Sequence, residues 1–278
     1  MRNLFPLLCF AEWTLWHHHP MPKTAPDTRS GAQAVERALA VLQAFEAEGG
    51  ELRLSELASR TGLSVSTTHR IVRALCAGGV LMQNPESERY ALGPALVVLG
   101  QRAQEGLGYD RALPALSALA EVTGESVNLG VRSGSDVLVV LDVASNAPLR
   151  FDQPAGTRVP VHTSAMGKCL LAFGELTEQQ VAELPELAPM TDRTITVRAR
   201  LLEELDQVRS QGWAVNDEER TPGVRAIAAP VLRSDGTVVA AVAIQGPAIR
   251  IDDARLAQLR DTLLASVSDL AAVLVSAR

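Results

Sequence analysis

Between Ser64 and Leu75 the chain carries Ser64, Ser66, Thr67, His69, Arg70 and Arg73 with no Asp or Glu among them. Hydroxyls and guanidinium groups with no carboxylate beside them suit hydrogen bonding to an anionic lattice. Arg can take both acceptors of a guanine edge, and Ser or Thr can meet bases or phosphates. On a wheel of about 100° per residue, Ser66, Arg70 and Arg73 fall on one side with Thr67 and His69 flanking them. Val65, Thr68, Ile71, Val72 and Leu75 fall on the other. The spacing therefore predicts a helix with one face for packing and one cationic face for the major groove of double-stranded DNA.

The neighbouring residues supply what such a helix needs. Ser64 is a good N-cap, because its hydroxyl can accept from an orphan N–H of the next turn. Leu54 to Thr61 predicts a shorter helix carrying Leu57 and Ala58 inward and closing at Gly62, which can take the left-handed conformation. Before it, Val35, Ala38, Leu39, Leu42 and Phe45 repeat at three and four and predict a core helix. After it, Val80 and Met82 alternate against Tyr90 and Leu92 around NPESE, a hairpin with Arg89 as its evident cation. A hairpin after a helix-turn-helix is a wing. The set of candidate DNA contacts is thus Ser64, Ser66, Thr67, His69, Arg70, Arg73 and Arg89. Pro94 to Arg102 returns to helical spacing, a linker helix ending near residue 109. Its apolar face, Leu96, Val97, Leu99 and Gly100, exceeds what a lone linker needs and predicts packing on a second subunit.

Other groups could in principle do covalent chemistry. His162, Ser164, Cys169 and the run DEER at 217–220 offer a base, nucleophiles and carboxylates, yet no GxSxG, HExxH, Walker or Rossmann pattern organises them. DEER reads as a solvated loop and Cys169 as core. No catalytic residue is expected, no cofactor, and no metal site, since His17, His18 and His19 stand in a row without a matching carboxylate or Cys. Cys9, Cys76 and Cys169 are far apart, which fits a reducing, cytoplasmic setting rather than a disulfide framework. No apolar run is long enough to span a bilayer, so no membrane partner is expected.

With 278 residues, 47% of them hydrophobic, the chain has room for two ordinary domains. The net charge of −6 divides unevenly: residues 1–109 carry ten basic and ten acidic side chains, residues 110–278 sixteen and twenty-two. The acidity belongs to the second half, and a neutral front half with an acid-free helix face can still meet DNA. Residues 1–30 differ in composition and predict a disordered extension, with Met21 a possible start. The second half predicts a helix at Arg111 to Thr123, strands at Ser126 to Val131, Val137 to Val143, Leu149 to Gln153 and Arg158 to Val161, and a capped helix from Ser164. Helices about Thr177 to Leu184 and Val197 to Gln211 follow, then a strand at Trp213 to Val215 and a hairpin of Val224 to Leu232 with Val238 to Gln245. A helix from Asp252 to Ser276 ends the chain. Strands in one sheet with helices on either side make an α+β sensing domain.

In AVERALAVLQAF, LSELASRTGLSVSTTHRIVRAL with YALGPALVVLG, GESVNLGV, VPVHTSAMGKCLLAF, TDRTIT with LLEELDQVRSQGWAVNDEE, and GVRAIAAPV with VAIQGP, the chain resembles the IclR family of bacterial transcription regulators. The resemblance implies a winged helix-turn-helix domain (31–93), a linker helix (94–109) and a GAF-like effector-binding and oligomerisation domain (110–278). It also implies a homodimer, often paired into a tetramer, on a near-palindromic operator, with repression more expected than activation. The implied effector pocket comprises Ser164, Ala165 and Met166 at a helix start with Asn216, Ala226, Ala243 and Gln245. Members that sense small oxo-acids carry Asp, Cys and two Ser where this chain has the last four. The expected effector is accordingly an organic acid with a larger apolar or aromatic body. Its carboxylate would lie at 164–166, where helix N–H groups attract an anion, and its other polar group at Asn216 or Gln245. The alternatives are a ligand-independent DNA-binding protein and an enzyme with a DNA-binding appendage.

Overall fold

A computed structural model describes residues 31–46, 50–174, 181 and 184–275. These form two compact units divided in sequence between Gly106 and Leu107. The expected extension over 1–30 and most of the helix expected at 177–184 lie outside the described residues.

The first unit contains α1 (Gly31–Gln43), α2 (Leu54–Thr61), α3 (Val65–Ala77), β1 (Leu81–Gln83), β2 (Tyr90–Leu92) and α4 (Ala95–Leu107). Its core gathers Val41, Phe45, Leu52, Leu57, Val72, Leu81 and Tyr90. The inward stripe of α1 runs through Val41 and continues to Phe45 in the turn after it, whereas Val35 and Leu39 are exposed, against the periodic expectation. On α3, Thr68 and Val72 are fully buried but Val65, in the first turn, is exposed. The Thr68 hydroxyl donates to Ser64 O at 3.0 Å, so its burial leaves no unsatisfied group. The hairpin forms in the register Leu81↔Leu92, Met82↔Ala91, Gln83↔Tyr90. Its core contacts come from Leu81 and Tyr90, while Met82 and Leu92 point to solvent, a correction to the faces expected from alternation. Leu52 adds a third edge by exchanging two 2.8 Å backbone bonds with Tyr90. A Cβ on Gly93 would stand 2.2 Å from Gly79 O, so glycine is what lets the chain leave the hairpin close to α3 and enter α4. Within α4 no residue is buried, and Val97, Val98 and Leu99 are all exposed.

The second unit contains α5 (Tyr109–Thr123), β3 (Ser126–Ser133), β4 (Asp136–Val143), β5 (Arg158–Pro160), a 3-10 turn (Val161–Thr163), α6 (Ala165–Ala172), α7 (Arg198–Gln211), β6 (Ala214–Asp217), β7 (Val224–Leu232), β8 (Val238–Pro247) and α8 (Asp253–Val275). The strands make one antiparallel sheet in the order β5-β4-β3-β8-β7-β6. The period of two sorts its central strands. Ala226, Ala228, Ala241 and Ala243 face α6 and α7, and Ile227, Ala229, Val242 and Ile244 face α5 and α8. The fold is the expected α+β arrangement, a helix-turn-helix unit followed by a sheet with helices on both faces. One expected strand is absent. Residues 149–153 form no strand, because Gln153 turns its side chain and carbonyl into the protein instead of pairing along a sheet edge.

Candidate functional site

Two places in the chain hold polar groups suited to recognition, one in each unit. In the first, Gly62 takes φ +67 and closes α2, and Ser64 caps α3 by accepting from Thr67 N at 3.2 Å. The Ser64 hydroxyl also lies 3.1 Å from the Ser66 hydroxyl and 2.9 Å from that of Thr67. The three hydroxyls at the helix start are therefore partly engaged with one another. Past them, His69, Arg70 and Arg73 are exposed. Among the described residues Arg70 and Arg73 have no hydrogen bond or ion pair, so both guanidinium groups are available to an external acceptor.

Arg89 differs. Its Nη1 donates to Glu51 O at 3.0 Å and stands 3.8 Å from Glu56. Beside it, the Glu51 carboxylate accepts from Asn84 Nδ2 at 2.7 Å and Ser87 Oγ at 2.8 Å, bonds that hold it below the usual carboxylate range. The side chain expected to be the hairpin's evident cation is used to tie the hairpin to the backbone carbonyl of residue 51, with the Glu56 carboxylate beside it.

In the second unit the sheet register draws distant residues into one row. Asn216 on β6 pairs with Ala226 on β7, which pairs with Gln245 on β8, which pairs with Ser126 on β3. Ala243 stands two residues along, opposite Asn128. Over this row lies the start of α6, where Ser164 accepts from Gly167 N at 3.0 Å. A Cβ on Gly167 would meet Val161 O at 2.1 Å, so only glycine allows the helix to spring so tightly from the preceding turn. The seven residues expected in an effector pocket, Ser164, Ala165, Met166, Asn216, Ala226, Ala243 and Gln245, all line a single cavity. Its volume of about 20 Å³ holds one or two waters.

Five further residues complete the lining: Phe151, Gln153, Arg220, Thr221 and Val224. Asn128, behind the wall, donates to Asp142 Oδ1 and to Gln153 O, both at 2.9 Å, and accepts a short bond from Gln245 Nε2. Arg220 Nη1 donates to Gln153 Oε1 at 2.9 Å. A guanidinium only donates, so the amide must turn its oxygen toward Arg220; its Nε2 is then buried without a partner. No Asp or Glu lines this cavity.

The run DEER, expected as a solvated loop, is not one. Glu219 is buried and meets Lys168 Nζ at 2.6 Å. Lys168 also donates to Glu204 Oε1 at 3.0 Å and to Val215 O at 2.9 Å. Burial raises the Glu219 carboxyl above the usual range, and Lys168 works against that shift. The Glu219 backbone N–H is held at 2.8 Å by Asn216 Oδ1, so this ion cluster shares an element with the cavity wall. Sequence reasoning missed Lys168, although a lysine inside the apolar run AMGKCLLA signals a buried cation in need of a partner. It missed Arg220 and Gln153 because both fall on irregular backbone, where periodicity carries no information.

The side chains weighed for catalysis are occupied elsewhere. Cys169 is fully buried, its thiol 3.4 Å from Ala228 O, and burial pushes the thiol far above its usual pKa, away from the nucleophilic thiolate. His162 Nε2 lies 3.2 Å from Ala188 O, and Ser164 is spent on its cap. Among the described residues no cluster of His, Cys, Asp and Glu could hold a metal ion, and no helix is long and apolar enough to cross a membrane.

Comparison with known proteins adds to this geometry. Residues 34–85 match the family model described as the IclR helix-turn-helix domain. Residues 109–272 match that of the bacterial transcriptional regulator IclR C-terminal region. The HTH-type transcriptional regulator BhcR of Paracoccus denitrificans is 36% identical over 242 residues, 86% of each chain. The HTH-type transcriptional repressor AllR of Salmonella paratyphi A is 30% identical over 253 residues, 90% of this chain and 92% of its own. An IclR homologue from Microbacterium hydrocarbonoxydans, solved in complex with 4-hydroxybenzoate, shares the fold with a TM-score of 0.74 at 24% identity. That likeness covers 86% of this chain and 99% of the homologue.

Proposed function

The chain belongs to the IclR family of bacterial transcriptional regulators, and we propose that it represses transcription from an operator whose affinity is set by a small organic acid. The observation that carries the reading is the α3 face, where Arg70 and Arg73 are exposed, unengaged and free of neighbouring acids. In a homodimer two such faces would read successive major-groove half-sites of a near-palindromic operator. Ser66 and His69 would join the arginines, while Ser64 and Thr67 meet phosphates at the helix start. Arg89 contributes less than its charge suggests, since Glu51 and Glu56 already hold it. Repression is favoured by relatives that are named repressors.

The acid is proposed from the second unit, where Ala165 and Met166, the first residues of α6, line a cavity without carboxylates, and a helix start favours an anion. A differential affinity of a few kcal/mol between acid-bound and acid-free forms is enough to move operator occupancy. The aromatic body expected from the apolar residues at 226 and 243 would need Phe151 and Met166 to turn aside, since the cavity is only about 20 Å³. A compact acid is therefore preferred. The 4-hydroxybenzoate complex belongs to the homologue, whose likeness is one of fold.

The test is an electrophoretic mobility shift on the DNA upstream of the protein's own gene and its divergent neighbour, backed by selection from a random DNA pool. A specific, salt-sensitive shift that weakens with an added acid is expected. A folded protein that selects no sequence from the pool would overturn the reading.

A further inference from the structure

At the edge of the sheet formed by β6, another cavity, of about 560 Å³, is lined by residues of β6 and α7 and by residues 192–197. That is an ordinary volume for a small-molecule site. Lys168, Glu204 and Glu219 all line it. Lys168 Nζ has three donors and places one each on Glu204 Oε1, Glu219 Oε1 and Val215 O. Each carboxylate is therefore bound through one oxygen. Glu219 Oε2 is buried with no donor, and among the described residues Glu204 Oε2 has none either. Buried acceptors are rarely left so, and the lysine has nothing further to give. A second ammonium would supply the missing donor and oppose the burial that raises the Glu219 carboxyl. One turn earlier on α7 stands Arg200, exposed and also lining the cavity. Residues four apart share a helix face, with about 5–6 Å between their Cβ atoms. Arg200 nonetheless makes no hydrogen bond or ion pair among the described residues. Arg193 differs, being held by Asp217 at 2.7 Å and Glu218 at 3.4 Å. Internal pairing thus leaves the cavity with one free guanidinium next to two free carboxylate oxygens, and the exposed Asp192 adds to the acidic side.

We propose that this cavity is a binding site of its own, separate from the cavity over the sheet, and that it takes an α-amino acid with an apolar side chain. The ligand's carboxylate lies on Arg200, whose planar fork matches two oxygens at once. Its ammonium donates to the second oxygens of Glu204 and Glu219. Its side chain rests on Ile195 and on Val197, which is 55% exposed although it lines the cavity. An α-amino acid carries both charges close together, as Arg200 and Glu204 present their opposites one helical turn apart. A ligand with either charge alone satisfies only one end.

Titration calorimetry on the full chain tests this with L-leucine and L-phenylalanine. Each is compared with the amine that lacks its carboxylate, isopentylamine or phenethylamine, and with the acid that lacks its ammonium, isocaproate or hydrocinnamate. The proteins are the unsubstituted one, Arg200→Gln, Arg200→Lys and, as a control, Glu203→Gln, which removes an exposed charge of α7 that does not line the cavity. At least one of the two amino acids should bind saturably, and roughly tenfold or more tightly than either of its singly charged counterparts. Arg200→Gln should weaken that binding by roughly 10- to 100-fold, the size of a lost charge-assisted bond, and bring the amino acid down to the level of its amine. Arg200→Lys should recover part of the loss, as a retained charge without the fork does. Glu203→Gln should bind as the unsubstituted protein does. Because Arg200 is exposed and unpaired, its variants should keep the urea midpoint of the unsubstituted protein, so that lost binding is not lost folding. No saturable binding by either amino acid overturns the proposal. So does binding to Arg200→Gln within about threefold of the unsubstituted protein, or a singly charged counterpart that matches its amino acid.

Discussion

Lys168 and Arg220 are both cations of the same unit, the first buried and the second half-buried, and they stand in opposite conditions. Lys168 is 1% exposed and donates to two carboxylates and a carbonyl. Arg220, next in sequence to one of those carboxylates, donates to a single neutral amide. The first is a closed account of charge, with the partners supplied by α7, β6 and the residues after it. The second is open on the side that faces the cavity. A buried ion satisfied within its own chain holds structure together, whereas one left unanswered points to something that comes from outside.

The largest effect that would break this contrast is expected at Lys168. Lys168→Met should cost about 3–5 kcal/mol in urea unfolding, because Glu219 would remain buried without its cation. The pH dependence carries a definite sign. Burial, the largest influence on Glu219, raises its pKa in the folded state. A carboxyl raised on folding costs nothing below its unfolded value near 4.5 and destabilises as pH rises through the folded value. Removing the lysine lifts that value further, so the loss should be larger at about pH 8 than at about pH 5. An equal loss at both would show that Glu219 is not the group left behind.

Arg70→Ala sharpens the contrast from the other unit, where a cation is exposed and makes no hydrogen bond or ion pair among the described residues. Operator binding should weaken by about 1–3 kcal/mol, with the unfolding midpoint unchanged. A shift in stability with unaltered DNA affinity would instead make Arg70 part of the fold. Arg220→Met should change stability by no more than about 1 kcal/mol, since one unpaired ion and one hydrogen bond are lost together. A loss as large as that of Lys168→Met would erase the distinction drawn above. The smallest effect is expected at His162. Burial lowers its pKa below the usual 6.5, so its contribution is present above that value and is lost as pH falls through the folded one. His162→Gln should flatten the decline in Tm between about pH 7 and pH 5 slightly, and an unchanged slope would show that other groups set it.

The same contrast marks what could be read without coordinates. Ser64 as a cap, Gly62 as a helix end, and the hairpin that pairs β7 with β8 all follow from local rules acting over a few residues, and all are present. The seven pocket residues were legible through family resemblance, and sheet register explains why they meet. Local rules failed where an element's neighbours chose its inward face. Val35, Leu39 and Val65 have the right spacing for burial and lie exposed. Residues 149–153 have strand-forming character and instead form an irregular segment whose Gln153 braces the cavity.

By itself, then, the amino-acid order determined most of the helices and strands and several of their caps, that one helix face is cationic and acid-free, and to which family the chain belongs. Those properties depend on side-chain type at short range, on caps, periods and turns. Only the tertiary structure decided the fate of each charge. Glu219 and Arg220 are adjacent letters of one polar run. The fold turns the first onto Lys168, 51 residues away, and the second onto Gln153, 67 residues away. Whether an ionised side chain is solvated, paired or left open depends on which distant groups share its small volume, and that is a property of packing alone.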